Sequence, residues 1–263
     1  MNKAVHVGFV GMGKMGSALA ARAQADIVFT DIRPDVTVTI GDKTVTAVPI
    51  STLLGESDVV IFAVKPQQIQ AVLDTIWHQD ISRVKLWISI LAGVPLAKFQ
   101  AILGADVPMV RAMPNTPAMV GQGMTALAFA TAVTPHWREW ATGFFSGVGK
   151  VVTVDEKDLN AVTALSGSGP AFFYKMADAM AKAGQTLGLS YDQSLALVSQ
   201  TLVGAGEMLQ HFGDPTQLAE NVTSPGGTTA AGLAQYDRVD LARQLQSIVK
   251  VTYERAVALE KEV

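Results

Sequence analysis

Hydrophobic and polar positions follow one rhythm in the first part of the chain and another in the second. Up to about Thr153, short runs rich in Val and Ile alternate with segments of helical length. Continuous apolar runs of this kind are typical of strands buried on both faces of a parallel sheet. The pattern predicts strands at 4–10, 27–30, 59–64, 86–90, 107–112 and 150–154, and helices at 14–25, 67–77, 96–103 and 135–146.

One segment interrupts this alternation of strands and helices. Residues 36–46 contain two β-branched runs on either side of Gly41 and Asp42, which is typical of a β-hairpin. A helix is the ordinary connection between neighbouring parallel strands. The sequence therefore predicts a hairpin in place of that helix.

After Asp155 the strand signal disappears and apolar positions recur at helical spacing. Residues 161–189 are apolar around much of the helical circumference and contain Gly167, Gly169 and Pro170, which predicts a central helix broken near its start. Such a helix needs neighbours on most sides. This favours a homodimer or higher homo-oligomer, with a monomer whose own chain covers the helix as the alternative.

These patterns together predict an α/β protein of two domains. Residues 1–154 are expected to form an N-terminal Rossmann-type, doubly wound sheet. Residues 155–263 are expected to form a C-terminal all-helical domain.

Composition narrows the classes of function. The 263 residues are 49% hydrophobic and 16% charged, which suits a large folded core. A net charge of −3 without runs of like charge excludes nucleic acid and membrane surfaces as expected partners. The chain has no cysteine and its four histidines are scattered, so no metal site is expected. Without a leader-like segment or an apolar run of about 18 residues, we expect a cytoplasmic protein with a small-molecule substrate.

A glycine turn lies between the first strand and the first helix. Gly11, Gly13 and Gly16 form the pattern G-x-G-x-x-G. The first glycine permits a tight turn, the second lets a pyrophosphate approach the backbone, and the third allows close packing of helix on strand. This context indicates a dinucleotide site.

The residues after the second strand bear on which dinucleotide is used. Asp31 can accept a hydrogen bond from a ribose 2′-OH, which favours NADH, whereas Arg33 can pair with a 2′-phosphate, which favours NADPH. The alternative is that Asp31 caps its turn and Arg33 is solvated. The sequence leaves the choice between NADPH and NADH open.

Further motifs follow later strands, at residues 63–67, 91–93 and 111–117. Open α/β sheets bind ligands at the carboxyl edge of their strands, so we expect Lys65 to reach cofactor phosphate or ribose there. The alternative is that these segments are ordinary turns between strands and helices, without a role in binding.

A second glycine turn, Ser-Pro-Gly-Gly-Thr-Thr at residues 224–229, precedes a predicted helix and indicates a second anion site built from backbone N–H groups. The ordered series of G-x-G-x-x-G, Ala-Val-Lys-Pro-Gln, Arg-Ala-Met-Pro-Asn-Thr-Pro, Ser-Gly-Ser-Gly-Pro-Ala and this turn resembles the pyrroline-5-carboxylate reductases. The resemblance covers essentially the whole chain, and the last motif is the most specific.

The resemblance implies reduction of Δ1-pyrroline-5-carboxylate to L-proline, the last step of proline biosynthesis, with NADPH or NADH. It implies cofactor contacts from the strand ends, to which we add Asp31, Arg33 and Asn115; the full set is Val10, Gly11, Met12, Gly13, Lys14, Met15, Asp31, Arg33, Ala63, Val64, Lys65, Pro66, Leu91, Ala92 and Asn115. The substrate positions are Glu156, Asn221, Gly226, Gly227, Thr228 and Thr229. The family has a Rossmann domain and a helical dimerisation domain, so residues 1–154 are expected to bind the dinucleotide and residues 155–263 to serve substrate binding and dimerisation. The hairpin departs from the helix that is usual in the family, and Asp31 is unusual for a form that prefers NADPH. Both bear on the contacts with the adenosine ribose and hence on the cofactor preference.

Two side chains are candidates for catalysis. A protonated cyclic imine brings its own proton, so orientation is sufficient and no histidine or lysine acid is required. The Thr229 hydroxyl is expected to assist the ring nitrogen. Glu156 is expected to stabilise the iminium charge or hold a water, or else to be an exposed acid at a helix start.

Three further functions compete with this interpretation. A β-hydroxyacid dehydrogenase is expected to carry a lysine on the central helix with an asparagine about four residues later. Here Lys175 is followed by Met-Ala-Asp-Ala, so this pair is absent. A different imine reductase and a non-catalytic nucleotide-binding regulator share the same fold, and the intact second glycine turn argues against the regulator.

Overall fold

The computed structural model describes residues 5–23, 25–33 and 35–262. They form two compact units. The first runs through Ser168 and includes the chain again from Thr252, and the second is Gly169–Val251. In the described residues no helix is long and apolar enough to cross a membrane.

The first unit contains the strands of the described chain: β1 (His6–Val10), β2 (Asp26–Thr30), β3 (Thr37–Ile40), β4 (Lys43–Thr46), β5 (Val59–Phe62), β6 (Leu86–Ser89), β7 (Met109–Met113), β8 (Gly123–Phe129) and β9 (Gly149–Thr153). One sheet has the order β2-β1-β5-β6-β7-β8-β9, and β3 pairs with β4 in a separate hairpin. Neighbours from β2 to β7 are parallel, β8 is antiparallel to β7, and β9 is parallel to β8. The predicted α/β fold with a Rossmann-type sheet is confirmed.

The central strands are buried on both faces, which explains their runs of Val and Ile. Every side chain of β5 and nearly all of β6 are inaccessible to solvent. Phe62 stacks on Trp87 with ring centroids 5.5 Å apart and lies 5.0 Å from the ring of Phe99. This rigid core fixes the strand ends that carry the candidate site.

Helices cover the sheet and make up the rest of the chain: α1 (Lys14–Ala20), α2 (Ile50–Glu56), α3 (Ile69–Ile76), α4 (Leu96–Leu103), α5 (Pro135–Ser146), α6 (Leu159–Val162), α7 (Gly169–Thr186), α8 (Tyr191–Phe212), α9 (Pro215–Asn221), α10 (Thr228–Arg238) and α11 (Leu241–Glu262). Short 3₁₀ turns lie at Pro66–Gln68, Thr116–Val120 and Glu156–Asp158, and a π-helical turn lies at Thr163–Gly167.

The connection after β2 differs from the prediction. The hairpin is present, with β3 and β4 antiparallel around Gly41 and Asp42. However, α2 follows it before β5, so the hairpin is added to the helical connection and does not replace the helix.

Other boundaries were also predicted wrongly. Helix α1 ends at Ala20 although its alanine-rich pattern continues, because β2 begins at Asp26. Strand β8 was missed because it is built from Gly, Met, Thr, Ala, Leu and Phe, without the Val and Ile that marked other strands. Ala4 and Gln24, which fall within a predicted strand and a predicted helix, lie outside the described residues.

The chain from residue 155 to 262 is helical, as predicted, and the central helix is broken near its start. Helix α6 passes through the π-helical turn before α7 begins at Gly169. Within the described second unit, Ala181 is the one buried hydrophobic residue. This unit therefore has little interior of its own.

Candidate active site

The turn after β1 lies where the strand order reverses, because β2 pairs with one side of β1 and β5 with the other. The N–H of Gly11 donates to the carbonyl of Thr30 over 2.8 Å. Gly11 has φ +93°, and a Cβ there would lie 3.0 Å from the carbonyl oxygen of Ala63. Only glycine fits this position, and the turn is thereby held against the ends of β2 and β5.

The same turn leaves space for a ligand beside Gly13. This residue precedes α1, and no side chain caps the helix there. A Cβ at Gly13 would meet nothing within 4 Å, whereas a Cβ at Gly16 would lie 2.9 Å from the carbonyl oxygen of Gly11. The backbone N–H groups and open space at Gly13 and the exposed Lys14 fit the diphosphate of a dinucleotide.

Asp31 follows β2 and is paired with Arg33. Its Oδ1 accepts hydrogen bonds from the backbone N and the Nε of Arg33, both at 3.1 Å. The Asp31 side chain is 10% exposed and that of Arg33 is 69% exposed. Asp31 caps its own turn, as the alternative interpretation held, but Arg33 is paired and not merely solvated.

This environment keeps the Asp31 carboxyl ionised. Burial raises its pKa, but the hydrogen bonds from Arg33 and from the backbone of Met12, together with the charge of Arg33, outweigh burial and lower the pKa below its ordinary value. A negative charge therefore lies beside the glycine turn.

The other predicted cofactor residues of the first unit follow the same ends of neighbouring strands. The N–H of Ala63 donates to Val10 over 2.8 Å, and Lys65 is exposed at the start of the turn that begins with Pro66. After β6, Leu91 is buried and Ala92 is half-buried. One sheet edge thus brings together Val10, Gly11, Met12, Gly13, Lys14, Met15, Asp31, Arg33, Ala63, Val64, Lys65, Pro66, Leu91 and Ala92.

Asn115 follows β7 at this edge, but its side chain makes hydrogen bonds within the protein. Its Nδ2 donates to the carbonyl oxygen of Ser166 over 3.2 Å, and its Oδ1 accepts from the N–H of Met124 over 2.8 Å. The amide joins the start of β8 to the π-helical turn. A cofactor contact by Asn115 stays a prediction.

A buried ionic network beside this edge was missed. Arg111 of β7 is 4% exposed, and its Nη1 donates to Glu156 Oε1 at 3.2 Å and to Glu260 Oε1 at 2.9 Å. Asn160 donates to Glu260 Oε2 over 2.6 Å. An arginine inside an otherwise apolar strand needs carboxylate partners, and this signal was available in the sequence.

The network constrains both glutamates. Burial raises the pKa of Glu260, but the hydrogen bonds from Asn160 and Arg111 and the Arg111 charge outweigh it, so the pKa is lowered. Glu156 Oε1 also accepts from the N–H of Leu96 over 2.7 Å, which fixes one oxygen at the start of α4. Any contact of Glu156 with a substrate therefore falls to its other oxygen.

The second glycine turn lies in the second unit, directly before α10. Gly226 has φ +72°, and a Cβ at Gly227 would clash with the hydroxyl of Ser224. No side chain caps the first turn of α10, where Thr228 is exposed and Thr229 is half-buried. Its backbone N–H groups can thus receive an anion.

Asn221 ends α9, ahead of this turn. Its Oδ1 accepts from Gln217 Nε2 over 3.1 Å. The amide is thereby oriented by its own helix. The second unit thus contains Asn221, Gly226, Gly227, Thr228 and Thr229 within one short segment.

A glycine turn at the switch point of a largely parallel sheet, followed by a helical unit, is typical of Rossmann-type nicotinamide-dependent oxidoreductases. Residues 6–93 match the family model described as NADP oxidoreductase coenzyme F420-dependent, and residues 156–259 match the model described as pyrroline-5-carboxylate reductase dimerisation. The chain belongs to the pyrroline-5-carboxylate reductase family.

Individual relatives support this membership over the whole chain. The chain is 34% identical to the pyrroline-5-carboxylate reductase of Arabidopsis thaliana, covering 97% of this chain and 95% of that protein. It is 35% identical to the pyrroline-5-carboxylate reductase of Methanosarcina acetivorans, and the match covers 97% of this chain and 98% of that protein. The Plasmodium falciparum pyrroline carboxylate reductase solved with NADP bound is 30% identical, with a TM-score of 0.86 and coverage of 97% and 98%. The family is that of NAD(P)H-dependent oxidoreductases acting on a C=N bond, which differs from the β-hydroxyacid dehydrogenases.

Proposed function

We propose that this protein reduces Δ1-pyrroline-5-carboxylate to L-proline with NADPH or NADH, as the last step of proline biosynthesis. Two glycine turns are the main support for this function. At Gly13 and at Gly227, no side chain caps the backbone N–H groups in the first turn of the helix that follows. One suits the diphosphate of the cofactor and the other suits the carboxylate of the substrate.

The first unit is proposed to hold the cofactor at the edge formed by the ends of β1, β2, β5 and β6. Open space at Gly13 supports a diphosphate there, and the exposed Lys14 and Lys65 supply positive charge. When bound, the reduced nicotinamide supplies the hydride. The small, half-buried Ala92 is proposed to offer an apolar surface to a flat ring, next to the buried Leu91.

The second glycine turn is proposed to hold the substrate. The substrate carboxylate accepts hydrogen bonds from the N–H groups of Thr228 and Thr229, with Asn221 and Gly226 shaping the segment. The N–H of Gly227, which the sequence assigned to the same carboxylate, instead donates to the carbonyl of Ser224 over 3.0 Å. The imine nitrogen is already protonated, so addition of hydride to the imine carbon converts C=N into a C–N single bond and leaves the proton on nitrogen. The chain then needs only to orient the ring.

Two side chains are proposed to assist at the ring nitrogen. Among the described residues, the Thr229 hydroxyl has no hydrogen-bond partner, so it is available to the substrate. Glu156 has one oxygen fixed by Leu96 and Arg111, and the other is proposed to stabilise the iminium charge.

We also propose that the protein is a homodimer or a higher homo-oligomer in the cytoplasm. The shortage of buried hydrophobic residues in the second unit supports association. The functional domains are proposed to divide after residue 154, since the dimerisation model begins at residue 156. The absence of cysteine suits a reducing compartment.

The test is oxidation of NADPH and of NADH that depends on pyrroline-5-carboxylate, followed by nicotinamide absorbance. We expect Thr229→Ala to lower kcat by about 10- to 100-fold, as for loss of one hydrogen bond to a charged group. Thr229→Ser should retain most of the activity. The dissociation constant for the cofactor should be unchanged.

Thr201→Ala is the matched control, because the Thr201 hydroxyl donates to the carbonyl of Leu197 within α8. It should leave kcat unchanged. Full turnover by Thr229→Ala would reject the role of the hydroxyl. Absence of substrate-dependent oxidation with either cofactor would reject the proposed function.

A further inference from the structure

We propose that Glu260 is a positioning residue for the reaction. By sharing Arg111 with Glu156, it keeps the guanidinium from covering both oxygens of Glu156 and leaves one of them for a positively charged ring nitrogen. The inference rests on the proposed function in that Glu156 faces the ring nitrogen of the substrate. It goes further because Glu260 is not among the predicted site residues, and because its role concerns the charge of the ligand.

The first step is the position of Glu260 within the first unit. Gly93, in the turn after β6, has φ +71°, and a Cβ there would lie 3.3 Å from the Cβ of Leu259 and 3.5 Å from the backbone N of Glu260. The end of α11 therefore packs closely against the turn that also contains the predicted cofactor residue Ala92. The Glu260 side chain is oriented by Asn160, whose Nδ2 donates to its Oε2 over 2.6 Å.

The second step is the way Arg111 distributes its donors. Its Nη1 has two hydrogens, and it donates to Oε1 of Glu156 at 3.2 Å and to Oε1 of Glu260 at 2.9 Å. Nη1 is thus shared between two carboxylates and does not form part of a bidentate pair with one of them. The N–H of Leu96 also donates to Oε1 of Glu156. These contacts of Glu156 all end on Oε1, so Oε2 is the oxygen that we assign to the ligand.

The third step is the charge of this network. One buried arginine faces two glutamates, so the three side chains together have one net negative charge. Burial raises the pKa of Glu260, but its hydrogen bonds with Asn160 and Arg111 outweigh burial, so the pKa is lowered and the carboxyl is ionised at neutral pH. A partly buried charge without a full complement favours a ligand of opposite charge. A protonated ring nitrogen meets this requirement, and an uncharged ring atom does not.

Removal of the Glu260 charge changes the role of Arg111. With one carboxylate left, the guanidinium neutralises Glu156 and can pair with both of its oxygens. Hydride addition removes the positive charge from the ring nitrogen, so the negative charge of the network stabilises the bound iminium more than the transition state. Loss of the Glu260 charge is therefore expected to raise KM for the imine without lowering kcat.

The experiment compares two ligands that differ in charge at one ring position. L-Proline has a protonated ring nitrogen at neutral pH, whereas tetrahydrofuran-2-carboxylate has an uncharged oxygen there and keeps the carboxylate. Isothermal titration calorimetry measures both dissociation constants, with saturating NADP⁺ and NAD⁺ in separate titrations. Glu260→Gln should weaken binding of L-proline by at least about fivefold, as for a weakened hydrogen bond to a charged group. Binding of tetrahydrofuran-2-carboxylate should be unchanged.

The two variants of Glu260 differ in how much they alter the packing. Glu260→Gln keeps the size of the side chain and an oxygen for Arg111. Its new amide can donate to Oδ1 of Asn160 once that amide turns over, since this Oδ1 is buried and has no partner among the described residues. Glu260→Ala removes the charge by truncating a side chain that is 26% exposed, and it should change the ratio of the two dissociation constants in the same direction.

Glu262→Gln is the matched control, because it makes the same change two residues later in α11. Glu262 pairs with Arg255, and both side chains are more than half exposed. The ratio of the two dissociation constants should be unchanged in this variant. Circular dichroism of each variant checks that the fold is retained.

Equal weakening of both ligands in the Glu260 variants would indicate a purely structural role and would overturn the inference. An unchanged ratio in both variants would also overturn it, as would a lower kcat with an unchanged KM. If the unmodified protein reduces the imine, these results count against this inference alone. Selective loss of L-proline binding in the Glu260 variants, without any reduction of the imine by the unmodified protein, would reject the proposed function alone.

Discussion

Arg111 carries a full charge into the interior of the first unit, where its side chain is 4% exposed. Glu156 and Glu260 share its guanidinium, so the arginine connects β7 to a candidate site residue and to the end of α11. A buried ion pair adds little compared with apolar packing, but removing one partner leaves the other charge unpaired. At the scale of single residues, the position of Glu156 therefore depends on a buried side chain that is not among the predicted site residues.

Arg111→Ala should lower the free energy of unfolding by about 3 to 5 kcal/mol, because two partly buried carboxylates lose their partner. Urea unfolding followed by circular dichroism measures the change. Arg255→Ala is the control, since Arg255 pairs with Glu262 over 2.6 Å with both side chains more than half exposed. Similar small decreases in the free energy of unfolding of the two variants would show that the buried network does not stabilise the fold.

At the scale of elements, Gly11 and Gly13 have different roles in the first glycine turn. Gly11→Ala should cost about 1 to 2 kcal/mol of stability, because its positive φ disfavours any side chain. Gly13→Ala should leave stability nearly unchanged, because a Cβ there meets nothing within 4 Å. The added methyl group should instead weaken dinucleotide binding by at least about tenfold, since it occupies the approach to the backbone.

Thermal unfolding and calorimetric titration of the two variants measure both effects. Each variant is the control for the other, because both replace glycine by alanine within the same turn. Normal cofactor affinity in a folded Gly13→Ala protein would mean that the diphosphate does not lie at this turn.

The success of sequence-based prediction also varied by element, for physical reasons. Strands β1, β5 and β6 were predicted because strands buried on both faces require continuous apolar runs. Strand β8 has little local signal and exists because β7 and β9 pair with its two edges. Helix α2 is only seven residues long and was missed beside the hairpin.

Some parts of the candidate site could likewise be predicted from the sequence, and others could not. Glycine turns are encoded by adjacent residues, so the cofactor edge and the Ser224 to Thr229 segment could be identified from sequence. The contact of Arg111 with Glu260 joins residues 149 positions apart, and no local pattern specifies which carboxylate meets the arginine. The pairing of Arg33 with Asp31 also required coordinates, because the sequence does not show that the two side chains contact each other.

At the scale of the whole molecule, the second unit exposes the side chains that would normally form a core. In α7 the side chains of Phe173, Tyr174 and Met180 are 51%, 61% and 56% exposed, and α8 exposes Leu197 and Phe212 at 60% each. Apolar surface of this extent normally marks a contact with another protein. The match to a dimerisation model over residues 156–259 indicates that the partner is a second copy.

Phe173→Glu should therefore weaken self-association by at least about tenfold, because it places a charge in an apolar interface. Sedimentation equilibrium measures the association constant. Thermal unfolding at several protein concentrations is a second measurement, because the melting temperature of an oligomer rises with concentration. Trp77→Gln is the control: Trp77 is 59% exposed in the first unit, outside the predicted interface, and its loss should leave association unchanged. A monomeric unmodified protein with a concentration-independent melting temperature would contradict the prediction, and the small interior of the second unit would then have to stabilise its helices alone.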